Sequence, residues 1–130
     1  MLFHSFGSQE ERKEYGGTAF LELQYCRLPI ETPRRKIESV RNPAFFKDDS
    51  LYVHESDLNL FLSEYADLFA GGDAPDTVFF GLLFGVNYYP PEQIDALTER
   101  IAAKKPTDGE VLIAWLKGAK ETNGFYVLGM

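Results

Sequence analysis

The stretch from Pro91 to Leu128 constrains the fold more than any other part of the chain. Pro91 suits the first turn of a helix, where its missing N–H would have no partner anyway. Glu92 stands at the positive end of the helix dipole, with Lys104 and Lys105 at the negative end. Between them Ile94, Leu97 and Ile101 recur at helical spacing, and Pro106 stops the helix. Thr107-Asp108-Gly109-Glu110 matches a capping box that opens a second helix, from which Val111, Leu112, Trp115, Leu116 and Ala119 face inward. Asn123-Gly124 closes it, and Phe125-Tyr126-Val127-Leu128 reads as a strand. Two amphipathic helices hinged at Pro106 therefore feed a strand.

Upstream, Leu21, Leu23 and Tyr25 alternate with Glu22, Gln24 and Cys26 within Thr18–Arg27, the pattern of a half-buried strand. A proline-punctuated connection follows, with a short helix near Arg34–Val40 and a second strand at Leu51–His54. Ser56 or Asp57 caps a helix that Gly71-Gly72 ends. Its Leu58, Phe61, Leu62, Tyr65 and Phe69 form one stripe. Thr77–Phe80 reads as a strand apolar on both faces. No repeat, low-complexity tract or linker divides the 130 residues, so one domain is expected over 1–130. Strands interleaved with helices give an α/β (or α+β) layered domain: a small mixed sheet of about four strands covered by about four helices.

Composition excludes several classes. With 45% hydrophobic and 15% aromatic residues the chain is not intrinsically disordered. A net charge of −7 and a pI near 4.8 argue against binding nucleic acid or an anionic membrane, since both need Lys and Arg to meet negative charge. The longest uncharged run, Thr77–Pro91, is too short and too rich in Gly and Pro to span a bilayer. The opening residues carry no basic leader with an apolar core, and Cys26 is the single cysteine. Both observations point to a cytoplasmic location.

Signs of catalysis are few. The two histidines, His4 and His54, are the available general bases, and Cys26 lies inside a strand with no helix N-terminus to make it a thiolate. Neither G-x-S-x-G nor HExxH occurs. His54-Glu55-x-Asp57 and Asp73-x-x-Asp76 read as solvated residues beside a helix end and a turn, and Gly81 and Gly85 do not have phosphate-loop spacing. No catalytic residue, metal or cofactor is expected, and a binding protein is favoured over an enzyme. The alternative is a small-ligand pocket, or an active site, around Asn87, Tyr88 and Tyr89, just beyond a central strand.

The distribution of charge is less ordinary. From Asp48 to Glu99 there are eleven acids and no base, while both flanks hold more bases than acids. At ~100° per residue Asp57, Glu64 and Asp67 fall within about 80° of one another, opposite the Leu58/Phe61/Tyr65 stripe. A solvated face that aids solubility is the plain explanation. Surfaces usually intersperse both signs, however, and crowded like charges are relieved by a basic partner. The expected partner site comprises Asp57, Glu64, Asp67, Asp73 and Asp76 with the aromatics Tyr65, Tyr88 and Tyr89. In size, pI, acidic block and aromatics such as Tyr65, Tyr88 and Tyr89, the chain resembles the small acidic immunity proteins of bacterial toxin systems. That resemblance implies a cytoplasmic protein that docks and neutralises a basic nuclease toxin. Other acidic adaptors of basic proteins fit the same features, and a homo-oligomer is compatible with either reading.

Overall fold

The computed structural model describes residues 1–16, 19–37, 47–70 and 86–129. Four strands form one sheet: β1 (Phe20–Tyr25), β2 (Leu51–His54), β3 (Val86–Tyr89) and β4 (Phe125–Leu128), in the order β2-β1-β4-β3. The helices are α1 (Gln9–Tyr15), α2 (Arg34–Ile37), α3 (Leu58–Ala70), α4 (Ile94–Lys104) and α5 (Gly109–Glu121), with 3-10 turns at Glu55–Asp57 and Pro91–Gln93. This is the layered α+β fold. The sheet is not mixed, because all three strand pairs are antiparallel. A single crossover helix between neighbouring strands would make them parallel. Here the α4–α5 hairpin lies between β3 and β4 and returns the chain in the opposite sense. Among the described residues no helix is long and apolar enough to cross a membrane.

Leu21, Leu23, Leu51, Val53, Phe125 and Val127 project to one face and join the buried stripes of α3, α4 and α5 in the main core. Leu58, Phe61, Leu62, Tyr65 and Phe69 all contribute from α3, and Ile94, Leu97 and Ile101 from α4. Leu112, Trp115, Leu116 and Ala119 are buried as their spacing requires, with Val111 at the margin. Gly124, at φ +79°, turns the chain from α5 into β4, where a Cβ would lie 2.1 Å from the Tyr89 carbonyl oxygen.

β1 is buried on both faces rather than half-buried. Glu22 and Gln24 are only 2% and 3% exposed, because the second face of the sheet is also covered. Cys26, Tyr88, Tyr126 and Leu128 pack there with Ile37 of α2, and Tyr126 Oη donates to the Ile37 carbonyl at 2.7 Å. The Glu22 carboxylate accepts from Ser50 Oγ at 2.7 Å, Gln24 Nε2 at 3.0 Å and the Lys47 N–H at 3.1 Å. Burying a carboxylate is tolerable only with such partners.

Two caps differ from expectation. His54, not Ser56 or Asp57, caps the 3-10 turn before α3. Thr107 does not cap α5. Asp108 sits at its N-terminus in the left-handed region, and its Oδ2 accepts from the N–H groups of Leu2 at 2.5 Å and Phe3 at 3.4 Å. The short helix expected near Arg34–Val40 runs over Arg34–Ile37, and residues 38–40 lie outside the described set. The strand expected at Thr77–Phe80 lies outside it too, whereas Asn87, Tyr88 and Tyr89, expected just beyond a strand, themselves belong to β3.

Candidate functional site

Glu64 and Asp67 lie on the outer side of α3, but Asp57 belongs to the preceding 3-10 turn and does not continue their helical row. Asp73 and Asp76 lie outside the described residues. Leu60 joins the row instead: Leu60, Glu64 and Asp67 fall at i, i+4 and i+7, and Leu60 is 43% exposed. The turn between α4 and α5 packs beside this row. There Lys104 Nζ donates to the Glu64 carbonyl at 2.6 Å and pairs with Asp67 Oδ1 at 2.9 Å, and Glu64 Oε2 accepts from the Thr107 N–H at 3.3 Å.

Tyr65 is fully buried under the same junction and donates to the Thr107 carbonyl at 2.6 Å, so it supports the surface and is not an anchor upon it. Burial raises its hydroxyl pKa, and the charges of Glu64, Asp108 and Glu110 raise it further. Asp108, Glu110 and Lys104 were not anticipated here. Asp108 and Glu110 lie within the Thr107–Glu110 segment that matches a capping box, and that match points to the helix start alone.

The fold also supplies bases to the block that has none of its own. Arg27 pairs with Asp49, Lys104 with Asp67, and Lys120 with Asp95 at 2.7 Å. All three bases come from outside Asp48–Glu99. Exposed pairs of this kind contribute below ~1 kcal/mol each, but they divide the acidic field into smaller patches.

The two tyrosines of β3 point to opposite faces of the sheet. Tyr88 is buried beside Tyr126 and donates to the Asn123 carbonyl at 2.7 Å. Tyr89 stacks on Phe125 on the helical side, with ring centroids 5.0 Å apart, and its pKa is pushed up to about 12 by burial. Asn87 pairs with Val127 and shares the Tyr89 face. No single pocket therefore gathers Asn87, Tyr88 and Tyr89. The cavity beside Tyr88, bounded by Ile30, Ile37, Pro90 and Asn123, measures about 180 Å³, below the roughly 300–1,000 Å³ usual for ligand sites.

The remaining reactive groups are occupied. Cys26 is buried against Tyr126, whose hydroxyl lies 3.5 Å from the sulfur. Both ring nitrogens of His54 hold intramolecular partners, Ser56 and Gly16, which leaves neither for a metal. Among the described residues no three His, Cys, Asp or Glu side chains gather as metal ligands would. No family model, curated protein or solved structure matches the chain.

Proposed function

We propose that the protein binds a basic protein through the surface where α3 meets the α4–α5 turn, and acts by occupying that partner rather than by catalysis. The observation that carries this reading is the exposed Leu60 in one helical row with Glu64 and Asp67 on α3, with Glu110 exposed in the first turn of α5. An apolar anchor bordered by carboxylates suits a partner that presents Lys and Arg around a hydrophobic contact. The acids speed encounter and the anchor slows departure. A net charge of −7 adds long-range attraction for the same partner. The resemblance to immunity proteins makes a basic nuclease toxin met in the cytoplasm one partner of this chemistry.

The test begins with capture of partners from the native host at low and high salt. The association of any basic protein recovered is then measured against two variants. Glu110→Lys should slow association and flatten its salt dependence. Leu60→Ala should speed dissociation about tenfold, the effect of a modest hot spot. Both variants should melt like the wild type, because both side chains are exposed. If neither rate changes, the surface is solvated and nothing more.

A further inference from the structure

His54 joins two parts of the fold through both nitrogens of its ring. Nδ1 lies 3.2 Å from the backbone nitrogen of Ser56 and 2.7 Å from Ser56 Oγ, and Nε2 lies 3.0 Å from the Gly16 carbonyl oxygen. A backbone N–H only donates, and a carbonyl oxygen only accepts. These partners give Nδ1 the accepting role and Nε2 the donating one. Nδ1 caps the 3-10 turn before α3, while Nε2–H holds the end of α1.

α1 depends on such attachments. Its seven residues bury no side chain, and a helix this short is marginal alone. It is held through Arg12, whose guanidinium lies 5.6 Å over the Phe20 ring and 5.5 Å over the Tyr52 ring, and through Tyr15. The Tyr15 ring meets His4 at 4.7 Å and His54 at 5.4 Å, and its hydroxyl lies 3.3 Å from His4 Nε2. Both histidines of the chain grip the same end of one helix.

We propose that His4 and His54 form a pH-sensitive latch on α1, closed while both rings are neutral and released when they take up protons. A proton on His54 Nδ1 would face the Ser56 N–H, donor against donor. The cap would be lost, and Ser56 Oγ would have to turn from donor to acceptor. For His4, burial lowers the pKa below 6.5, and the amino terminus and His54 act in the same direction against Asp57 and Asp108. A lowered histidine pKa means that the folded state binds protons less readily than the unfolded chain. Its stabilisation is fully present above pH 6.5 and is lost as pH falls from there through the lowered folded-state value.

The charged groups around the latch come from four places. Glu55 and Asp57 lie on the 3-10 turn, Asp108 precedes α5, the amino terminus borders His4, and Arg12, Lys13 and Glu14 belong to α1. The acids favour protonation, and the bases and burial oppose it. Release bares the aromatic cluster of Phe6, Phe20 and Tyr52, which Tyr15 and Arg12 now cover.

Amide hydrogen exchange on the full chain from pH 7.5 to 5.5, corrected for intrinsic rates, tests the latch. Protection across Gln9–Gly16 should fall about tenfold per pH unit for each proton taken up, while α4 and α5 keep theirs. His54→Gln, which cannot titrate, should reduce that slope, and adding His4→Gln should abolish it. α1 protection that tracks α5 throughout, or an unchanged slope in the double variant, overturns the proposal. If the variants fail to fold by Trp115 fluorescence, imidazole ¹⁵N shifts of the wild type at pH 7.5 decide. The Nε2–H form of His54 supports the latch, and the Nδ1–H form or a mixture overturns it.

Discussion

Tyr25 and Trp115 lie stacked, with ring centroids 4.3 Å apart and planes 9° from parallel, and Tyr25 Oη donates to the Trp115 carbonyl at 2.7 Å. The pair ties the centre of the sheet to α5. Trp115 Nε1 continues the link to the Asp49 carbonyl at 2.8 Å, and Arg27 lies over the other side of Tyr25. Gly118 makes room for it: a Cβ there would fall 2.4 Å from Tyr25 Oη.

Replacing Gly118 therefore has an unusual sign. In an open helix Gly→Ala stabilises by up to ~1 kcal/mol. Here Tyr25 would have to leave Trp115, so Gly118→Ala should destabilise by ~1–3 kcal/mol, the range for overpacking. In a Tyr25→Ala background the same change should stabilise. Urea melts of the four proteins in this cycle read the result, and the same sign in both backgrounds would refute the account.

Asp108 sits at φ +57° while its carboxylate holds the Leu2 and Phe3 N–H groups. Asp108→Ala loses the bonds and keeps the backbone strain, and should cost ~2–3 kcal/mol. Asp108→Gly loses the bonds but relieves the strain, and should cost about 1 kcal/mol less. Equal losses in denaturant titration would mean that strain contributes nothing at this position.

The Cys26 thiol is fully buried between β1 and the Ile37 segment. Its reaction with an aromatic disulfide reagent should be slow in buffer and accelerate through the unfolding transition, because labelling then requires opening. Labelling in buffer at the rate of the urea-unfolded chain would show that the second face of the sheet is open.

Alkali should unfold the protein through its tyrosines. Burial pushes Tyr25 and Tyr89 up to about 12, and it raises Tyr52, Tyr65 and Tyr126 as well. The folded state then holds protons that the unfolded chain releases near pH 10. The tyrosine contribution should be level from neutral pH to 10 and fall as pH rises from 10 towards 12. Phenolate absorbance exceeding the share of one tyrosine, the exposed Tyr15, before the far-UV circular dichroism changes would contradict this order.

The sequence by itself determined the features that depend on neighbours a few residues away. The stripes Leu58/Phe61/Leu62/Tyr65/Phe69 and Ile94/Leu97/Ile101 became buried helix faces, since a period of 3.6 puts them on one side wherever the helix docks. The break at Pro106, the turn at Gly124 and the strands at Phe20–Tyr25, Leu51–His54 and Phe125–Leu128 were legible for the same reason. Tertiary structure decided everything that depends on which distant segment arrives. Glu22 and Gln24 alternate like solvent-facing residues, yet they are buried because α2 and the Lys47–Ser50 turn cover the second face. The two helices between β3 and β4 were legible, but which strands pair, and in which direction, depends on how distant segments dock. The candidate site divides in the same way. Glu64 and Asp67 were readable as one helical row. The arrival of Lys104 beside them was not, and neither was the burial of Tyr88 beneath the second face of the sheet. Charge along a chain is a one-dimensional quantity, whereas an electrostatic surface is summed over whatever the fold brings within about a Debye length.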